Sequence, residues 1–263
     1  MSFETKNLNL GYDQRLVVEE LNLHLELGKI TSIIGANGSG KSTILRALAR
    51  LLKPKSGAVL LSGQAIDQLP TKSVARQLAI LPQTPIAPEG LTVEALVQFG
   101  RYPHQGFLQQ PKPHDLELIE LALNQTKMTH LRTQPFHNLS GGQKQRAWIA
   151  FALAQNTPIL LLDEPTTHLD IMHQLEVLHL LEELNAKTSK TVVMVLHDLN
   201  QAAQYSHQII AVQNGQVVAQ DTPEKVLTLD LMRQVFGIHV HLIQNPSTGK
   251  PHIIPYGLAR HDS

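Results

Sequence analysis

The 263-residue chain contains no cysteine, which removes disulfide scaffolds, thiolate zinc sites and cysteine nucleophiles together. That absence fits a reducing compartment. Aromatic residues make up only 4% of the chain against 42% hydrophobic residues overall, so the core has to be aliphatic. Neither sign of charge is in excess: 22 Lys and Arg face 22 Asp and Glu, and the pI is near 7.3. That balance gives no electrostatic reason to expect nucleic acid or anionic lipid as a partner. No uninterrupted apolar run approaches the roughly 18 residues that a membrane span needs. The opening residues lack a basic stretch followed by an apolar core, so no signal peptide is expected. The expectation is a soluble chain that meets a membrane only through a partner.

At 263 residues, the chain is long enough for one large domain or two small ones on a prior of about 150 residues each. Its first 28 residues alternate apolar and polar positions, with Leu8 and Leu10 and then Leu21, Leu23, Leu25 and Leu27. Period-two alternation predicts antiparallel strands with one face buried. A cycle of apolar strand, turn and helix follows. The strand 30–34 leads through a Gly-rich loop into a helix over 42–52, with Leu45, Leu48, Ala49 and Leu52 on one face. Further short apolar runs at 159–162, 192–196 and 209–212 are separated by helical patterns. Such alternation predicts a mostly parallel sheet with helices on both faces. Residues 84–155 differ in character, with helical patterns at 93–100, 115–124 and 143–153 and a Pro- and Gln-rich loop at 102–113. They read as a helical subdomain inserted into an α/β core. Near the end, Asp221-Thr-Pro-Glu reads as a helix N-cap with Pro just inside.

The loop Gly35-Ala36-Asn37-Gly38-Ser39-Gly40-Lys41-Ser42-Thr43 follows the predicted strand and opens the predicted helix. It satisfies G-x-x-x-x-G-K-[ST] in the setting where that pattern has a mechanism, and chance supplies the pattern only about 0.005 times in this composition. Glycines let successive N–H groups point at phosphate oxygens, and the helix N-terminus adds positive potential. Lys41 reaches the β- and γ-phosphates and the Ser42 hydroxyl ligates Mg²⁺. The run LLLDEP ends a buried strand in two carboxylates, Asp163 and Glu164, where open α/β sheets bind their ligands. Asp163 is suited to Mg²⁺, and Glu164 to the attacking water as general base; a solvated acidic turn is the alternative. Ser140-Gly141-Gly142-Gln143 precedes another helix and reads as a second anion-binding helix start. The alternative there is a capped helix with a flexible entry. Two phosphate-binding elements about 100 residues apart are odd in a protein using one nucleotide per fold, unless the second serves another subunit.

The phosphate loop, LSGGQ and LLLDEP, in that order, resemble the ATP-binding subunit of an ABC transporter over residues 3–239. The resemblance implies an α/β RecA-like P-loop NTPase core, an antiparallel β subdomain and a helical subdomain, leaving 240–263 as a short C-terminal extension. It also implies a head-to-tail homodimer sandwiching two ATP molecules between the loop of one subunit and LSGGQ of the other. Tyr12, in the run LGY, matches the aromatic that stacks on adenine; the alternative is a strand-end tyrosine packed on the core. Gln83 matches the glutamine that contacts Mg²⁺ and the attacking water, and the segment after it the wall of a groove for the permease. His197 matches the switch histidine that senses the γ-phosphate, and Asp170 the loop along the dimer interface. His168 departs from the small residue common at its position. The other histidines, His239 and His241 included, show no partner constellation and read as surface residues.

A narrower resemblance rests on LPTK at 69–72, RQLAILPQ at 76–83, GRYPHQ at 100–105, QRAWIA at 145–150, LDEPTT at 162–167 and LHDLNQA at 196–202. These runs are similar to ATPases of importers for ferric siderophores, ferric citrate, haem and cobalamin, the ferric-siderophore branch being nearest. That resemblance implies a peripheral ATPase on the cytoplasmic face of the inner membrane, two copies per transporter. Its partners are then two transmembrane permease subunits and, through them, a periplasmic binding protein, with cobalamin or haem as the alternative cargo. An ABC-type ATPase acting on nucleic acid or ribosomes is a further alternative. Such proteins usually add a coiled coil or a second nucleotide domain, plus basic patches, and this chain has none of these.

Overall fold

The computed structural model describes residues 2–105 and 111–259. The middle of the Pro- and Gln-rich loop and the last four residues of the C-terminal extension therefore lie outside the described residues. In chain order, the first elements are β1 (Phe3–Tyr12), β2 (Arg15–Leu25), β3 (Ile30–Ile34), α1 (Lys41–Leu48), β4 (Ser56–Leu61) and β5 (Gln64–Ala65). Next come α2 (Thr71–Ala75), β6 (Leu78–Leu81), α3 (Val93–Phe99), α4 (Pro113–Gln125), α5 (Gly141–Ala154), β7 (Ile159–Asp163) and α6 (Ile171–Thr188). The last are β8 (Thr191–Val195), α7 (Leu199–Tyr205), β9 (Gln208–Gln213), β10 (Gln216–Asp221), α8 (Pro223–Val226), α9 (Leu229–Phe236), β11 (Ile238–Gln244) and β12 (Pro251–Leu258). The chain forms two compact units, residues 1–68 with 191–263 and residues 69–190.

In the first unit, β2, β1, β4 and β5 make an antiparallel sheet in that order. Leu8, Leu10, Leu21, Leu23 and Leu25 are all buried, as the alternation requires. A second sheet places β3 between two parallel neighbours, β8 and β9, with β10 antiparallel beyond β9. Every residue of β3 and of β8 is buried. A strand covered on both faces need not alternate, so β8 is apolar from Val192 to Val195; the polar Thr31 and Ser32 of β3 are buried as well, and Ser206 Oγ donates to Ser32 Oγ at 2.7 Å. Helix α1 buries Ile44, Leu45 and Leu48 but is shorter than the expected 42–52. Arg50 takes a left-handed φ of 61°, and the Arg46 carbonyl accepts from both Leu51 and Leu52. The helix therefore stops at Leu48, and Leu51 is 60% exposed. Pro223 lies just inside α8 as expected, with Thr222 at the cap position but making no side-chain cap bond, and Asp221 accepts from the Thr222 N–H.

The C-terminal residues are more than a tail. β11 and β12 form an antiparallel hairpin that buries Val240 and Ile253. His239 and His241, read as histidines without partners, both stack on Tyr256, at ring distances of 5.9 and 4.5 Å.

In the second unit, β6 and β7 pair in parallel, and α3, α4 and α5 occupy the three stretches that carry helical patterns in sequence. Their packing centres on a buried cation. Arg101 donates to Asp115 at 2.8 Å and to the carbonyls of Ala154 and Gln155 at 2.7 and 3.2 Å. One side chain thereby joins the first turn of α4 to the C-terminal end of α5, where free carbonyls carry partial negative charge. His104 Nε2 lies 2.9 Å from the same Gln155 carbonyl and must carry the proton there. Burial and the Arg101 charge hold its pKa below the ordinary histidine value.

Candidate functional site

Parallel pairing decides where the predicted site residues emerge. In the first unit, Ile33 pairs with Val195, so β3 and β8 end side by side. β3 runs out into the Gly35–Thr43 loop and β8 into His197. Gly40 ends that loop with a φ of 105°, a conformation that L side chains rarely adopt and glycine takes freely. Lys41 is only 5% exposed, and its Nζ donates to the carbonyls of Gly35 and Ala36 at 2.9 and 3.0 Å. The ammonium group is thus folded back over the loop from which phosphate would be held. Ser39 Oγ is buried with no hydrogen-bond partner among the described residues, and a buried hydroxyl left so is costly unless a ligand satisfies it. A positive group, an orphaned hydroxyl and a helix N-terminus converge on one loop, and they fit a phosphate chain.

Tyr12, at the end of β1, is 44% exposed rather than packed on the core. Its hydroxyl lies 3.5 Å from Arg46 Nη1, and a planar ring open to solvent is what base stacking requires. Asp198 follows His197 and caps α7, accepting from Gln201 N at 2.9 Å.

In the second unit the same logic brings two distant residues together. Leu81 pairs with Leu162, so the chain leaves β6 toward Gln83 and β7 toward Glu164 at one place. Gln83 Nε2 donates to Glu164 Oε2 at 2.6 Å, and Thr167 Oγ1 donates to the same oxygen at 3.0 Å. Glu164 has a left-handed φ of 53°, a strain of order 1–3 kcal/mol of the kind found at functional sites. Asp163, one residue earlier, is almost completely buried. Within this unit, Gln83 and Asp163 offer an amide and a carboxylate. That sparse oxygen set suits magnesium, which takes its other ligands from phosphate and water. After Gln83 the chain is irregular, and Ile86 is 90% exposed.

The Ser140 element is a capped helix start. Ser140 Oγ accepts from Gln143 N, and Gln143 Oε1 accepts from Ser140 N at 3.0 Å. The hydroxyl hydrogen of Ser140 is not used in either bond. A residue that the sequence reading passed over, His173, backs this element. A Cβ placed on Gly142 would lie 2.3 Å from His173 Cδ2, so the ring packs directly on the glycine. The same ring contacts Asp170 Oδ1 through Nδ1 at 2.7 Å, while Asp170 caps α6 by accepting from His173 N at 2.9 Å. These bonds from the His173 backbone and ring hold the Asp170 carboxyl below its usual range. One turn further on, Arg146 of α5 meets Glu176 of α6 at 3.2 Å. Only the i, i+3 spacing of Asp170 and His173 signals the bridge in sequence. We expect Gly142→Ala to cost about 1–3 kcal/mol in urea unfolding, the usual penalty of overpacking. Adding His173→Ala should restore most of it; no recovery in the double variant would place the strain elsewhere.

A family model described as ABC transporter matches residues 18–167. The petrobactin import ATP-binding protein FpuD of Bacillus anthracis is 53% identical over 259 residues, covering 98% of this chain and 95% of that protein. The iron(3+)-hydroxamate import ATP-binding protein FhuC of Bacillus subtilis is 48% identical over 261 residues, covering 99% and 97%. Among solved structures, the dimeric post-hydrolysis state of the ATP-binding cassette MJ0796 bound to ADP and Pi superposes with a TM-score of 0.73. It is 28% identical and covers 84% of this chain and 98% of that one.

Proposed function

The chain belongs to the ABC transporter ATP-binding family, and from that premise we propose that it hydrolyses ATP to drive uptake of iron(III)–siderophore complexes. The hydrolytic part rests on one contact above all, Gln83 Nε2 on Glu164 Oε2 at 2.6 Å, which fixes a carboxylate at a strand end as a general base needs. The cargo rests on the import functions named for the relatives at 53% and 48% identity.

Each residue then has a task. Lys41 and the loop N–H groups take the phosphates, Lys41 exchanging two carbonyl contacts for phosphate oxygens. Tyr12 stacks on the base. Ser42, Asp163 and Gln83 are the residues that would hold Mg²⁺, which would neutralise phosphate charge there. Glu164 accepts a proton from the attacking water while Gln83 and Thr167 hold its Oε2. His197 touches the γ-phosphate. Ser140, Gly141, Gly142 and Gln143 act on the nucleotide held by a second copy, and Asp170 lies along that dimer contact. Two copies would work with two permease subunits at the cytoplasmic face of the membrane, the inner one in a cell that has two. A substrate-binding protein, periplasmic in such a cell, would deliver the complex from outside. The exposed segment after Gln83 is the surface offered to the permease.

No helix among the described residues is long and apolar enough to cross a membrane. We expect a tagged chain to copurify with permease from detergent-solubilised membranes, and to leave the membrane fraction when the permease genes are deleted. Retention on membranes of the deletion strain would contradict this attachment.

A further inference from the structure

The C-terminal hairpin has no task in the reading above, yet it is fastened to the helix that follows His197. Asn200, in the first turn of α7, donates from Nδ2 to the Ile253 carbonyl of β12 at 3.1 Å. Its Oδ1 accepts from the Ile253 N–H at 2.7 Å. One side-chain amide thus satisfies both backbone groups of a single residue on the edge of a two-stranded sheet, where such groups otherwise lack partners. Ile253 is itself buried, so the hairpin cannot slide along the helix without leaving a buried N–H and C=O unmet.

The far end of α7 is tied as well. Lys250, just before β12, donates from Nζ to the Gln204 and Ser206 carbonyls. Thr248 Oγ1 donates to Gln204 Oε1 at 3.0 Å. An ammonium group on the last carbonyls of a helix is the favourable sense for its dipole. A seven-residue helix is therefore held by the hairpin near both ends. His197 lies between the end of β8 and Asp198, the cap of α7. Its position is set on one side by the sheet and on the other by a helical turn that Asn200 anchors.

We propose that Asn200 is a positioning residue for His197, and that the C-terminal hairpin is the support against which the switch histidine is aligned. The proposal rests on the reading of His197 as the group that touches the γ-phosphate. It requires that breaking the clamp lower the rate of hydrolysis while leaving nucleotide capture at the loop intact. A displacement of about 1 Å at a reacting group costs up to about 10²-fold; a loosened helix start should cost about tenfold.

The test measures kcat and KM for ATP in the transporter complex for Asn200→Leu, His197→Ala and the double variant. Asn200→Asp, which keeps the acceptor and loses the donor, serves as the milder variant if Asn200→Leu does not fold. We expect kcat to fall about tenfold in Asn200→Leu and less in Asn200→Asp, with KM within about twofold of wild type. We also expect the double variant to be no slower than His197→Ala alone, because both changes act through one side chain. If His197→Ala hydrolyses ATP at the wild-type rate, the reading of the histidine is wrong. If His197→Ala is slow but neither Asn200 variant changes kcat, or the losses multiply in the double variant, the positioning role is wrong.

Discussion

Glu164→Gln is expected to bind Mg-ATP with near wild-type affinity and to hydrolyse it about 10²–10⁴ times more slowly, the usual loss when a general base is removed. That range corresponds to roughly 3–5 kcal/mol of barrier. The amide oxygen can still accept from Gln83 Nε2 and Thr167 Oγ1, which both donate to one carboxylate oxygen in the native chain. The side chain should therefore stay where it is and lose only its capacity to take a proton. Lys41, Ser42 and Asp163 are untouched, so nucleotide should accumulate unhydrolysed in a closed dimer that size-exclusion chromatography resolves. Lys41→Ala should fail differently. It removes the cation that sits on the loop, and a hydrogen bond to a charged group is worth about 1.5–3 kcal/mol. Affinity should drop about 10–100-fold in an equilibrium binding assay, and no dimer should be trapped. A Glu164→Gln variant that turns over near the wild-type rate would remove Glu164 as the base.

Arg101→Ala should be the most destabilising single substitution outside the nucleotide site. It leaves the buried Asp115 carboxylate and the Ala154 and Gln155 carbonyls without the cation that now joins them. Removing one partner of a buried ion pair costs about 3–5 kcal/mol. Burial alone would raise the Asp115 pKa, but the Lys112 N–H and the Arg101 guanidinium hold it below the usual carboxylate range. A carboxyl depressed in the folded state contributes stability that is present above its unfolded value and lost as pH falls through the folded value. The gap between wild type and variant should therefore be full at pH about 7 and shrink below about pH 4. Denaturant unfolding at both pH values measures it. Replacing the pair with apolar residues, Arg101→Met with Asp115→Leu, should recover much of the loss.

Much of this architecture was legible from particular residues. The strands β7, β8 and β9 announce themselves as short apolar runs because both their faces are covered, whereas β3 is broken by its buried Thr31 and Ser32; the loop between β3 and α1 carries its phosphate-binding pattern in its glycines and Lys41. The end of α1 was not legible, since Leu51 and Leu52 continue an apolar pattern that only the left-handed turn at Arg50 interrupts. The hairpin escaped notice for another reason. Val240, Leu242 and Ile253 do alternate with polar or exposed neighbours, but what stabilises them, Asn200 on Ile253, lies 53 positions away. The pairing of Gln83 with Glu164 likewise depends on the register of β6 against β7. In sequence GRYPHQ carries only a family resemblance, because the partners of its arginine lie on two other helices. Contacts set by register and by long-range packing are what periodicity cannot supply.

If ATP hydrolysis by this chain drives iron(III)–siderophore uptake, radiolabelled iron should follow it into the cell. Cells lacking the gene should be offered ⁵⁵Fe-labelled ferric siderophores and, separately, haem and cobalamin, with wild type or Glu164→Gln supplied from a plasmid. Ferric-siderophore uptake should be lost in the deletion, restored by wild type and not restored by Glu164→Gln, while haem and cobalamin uptake stay unchanged throughout. Undiminished siderophore uptake in the deletion, or loss of haem or cobalamin uptake in its place, would contradict that role.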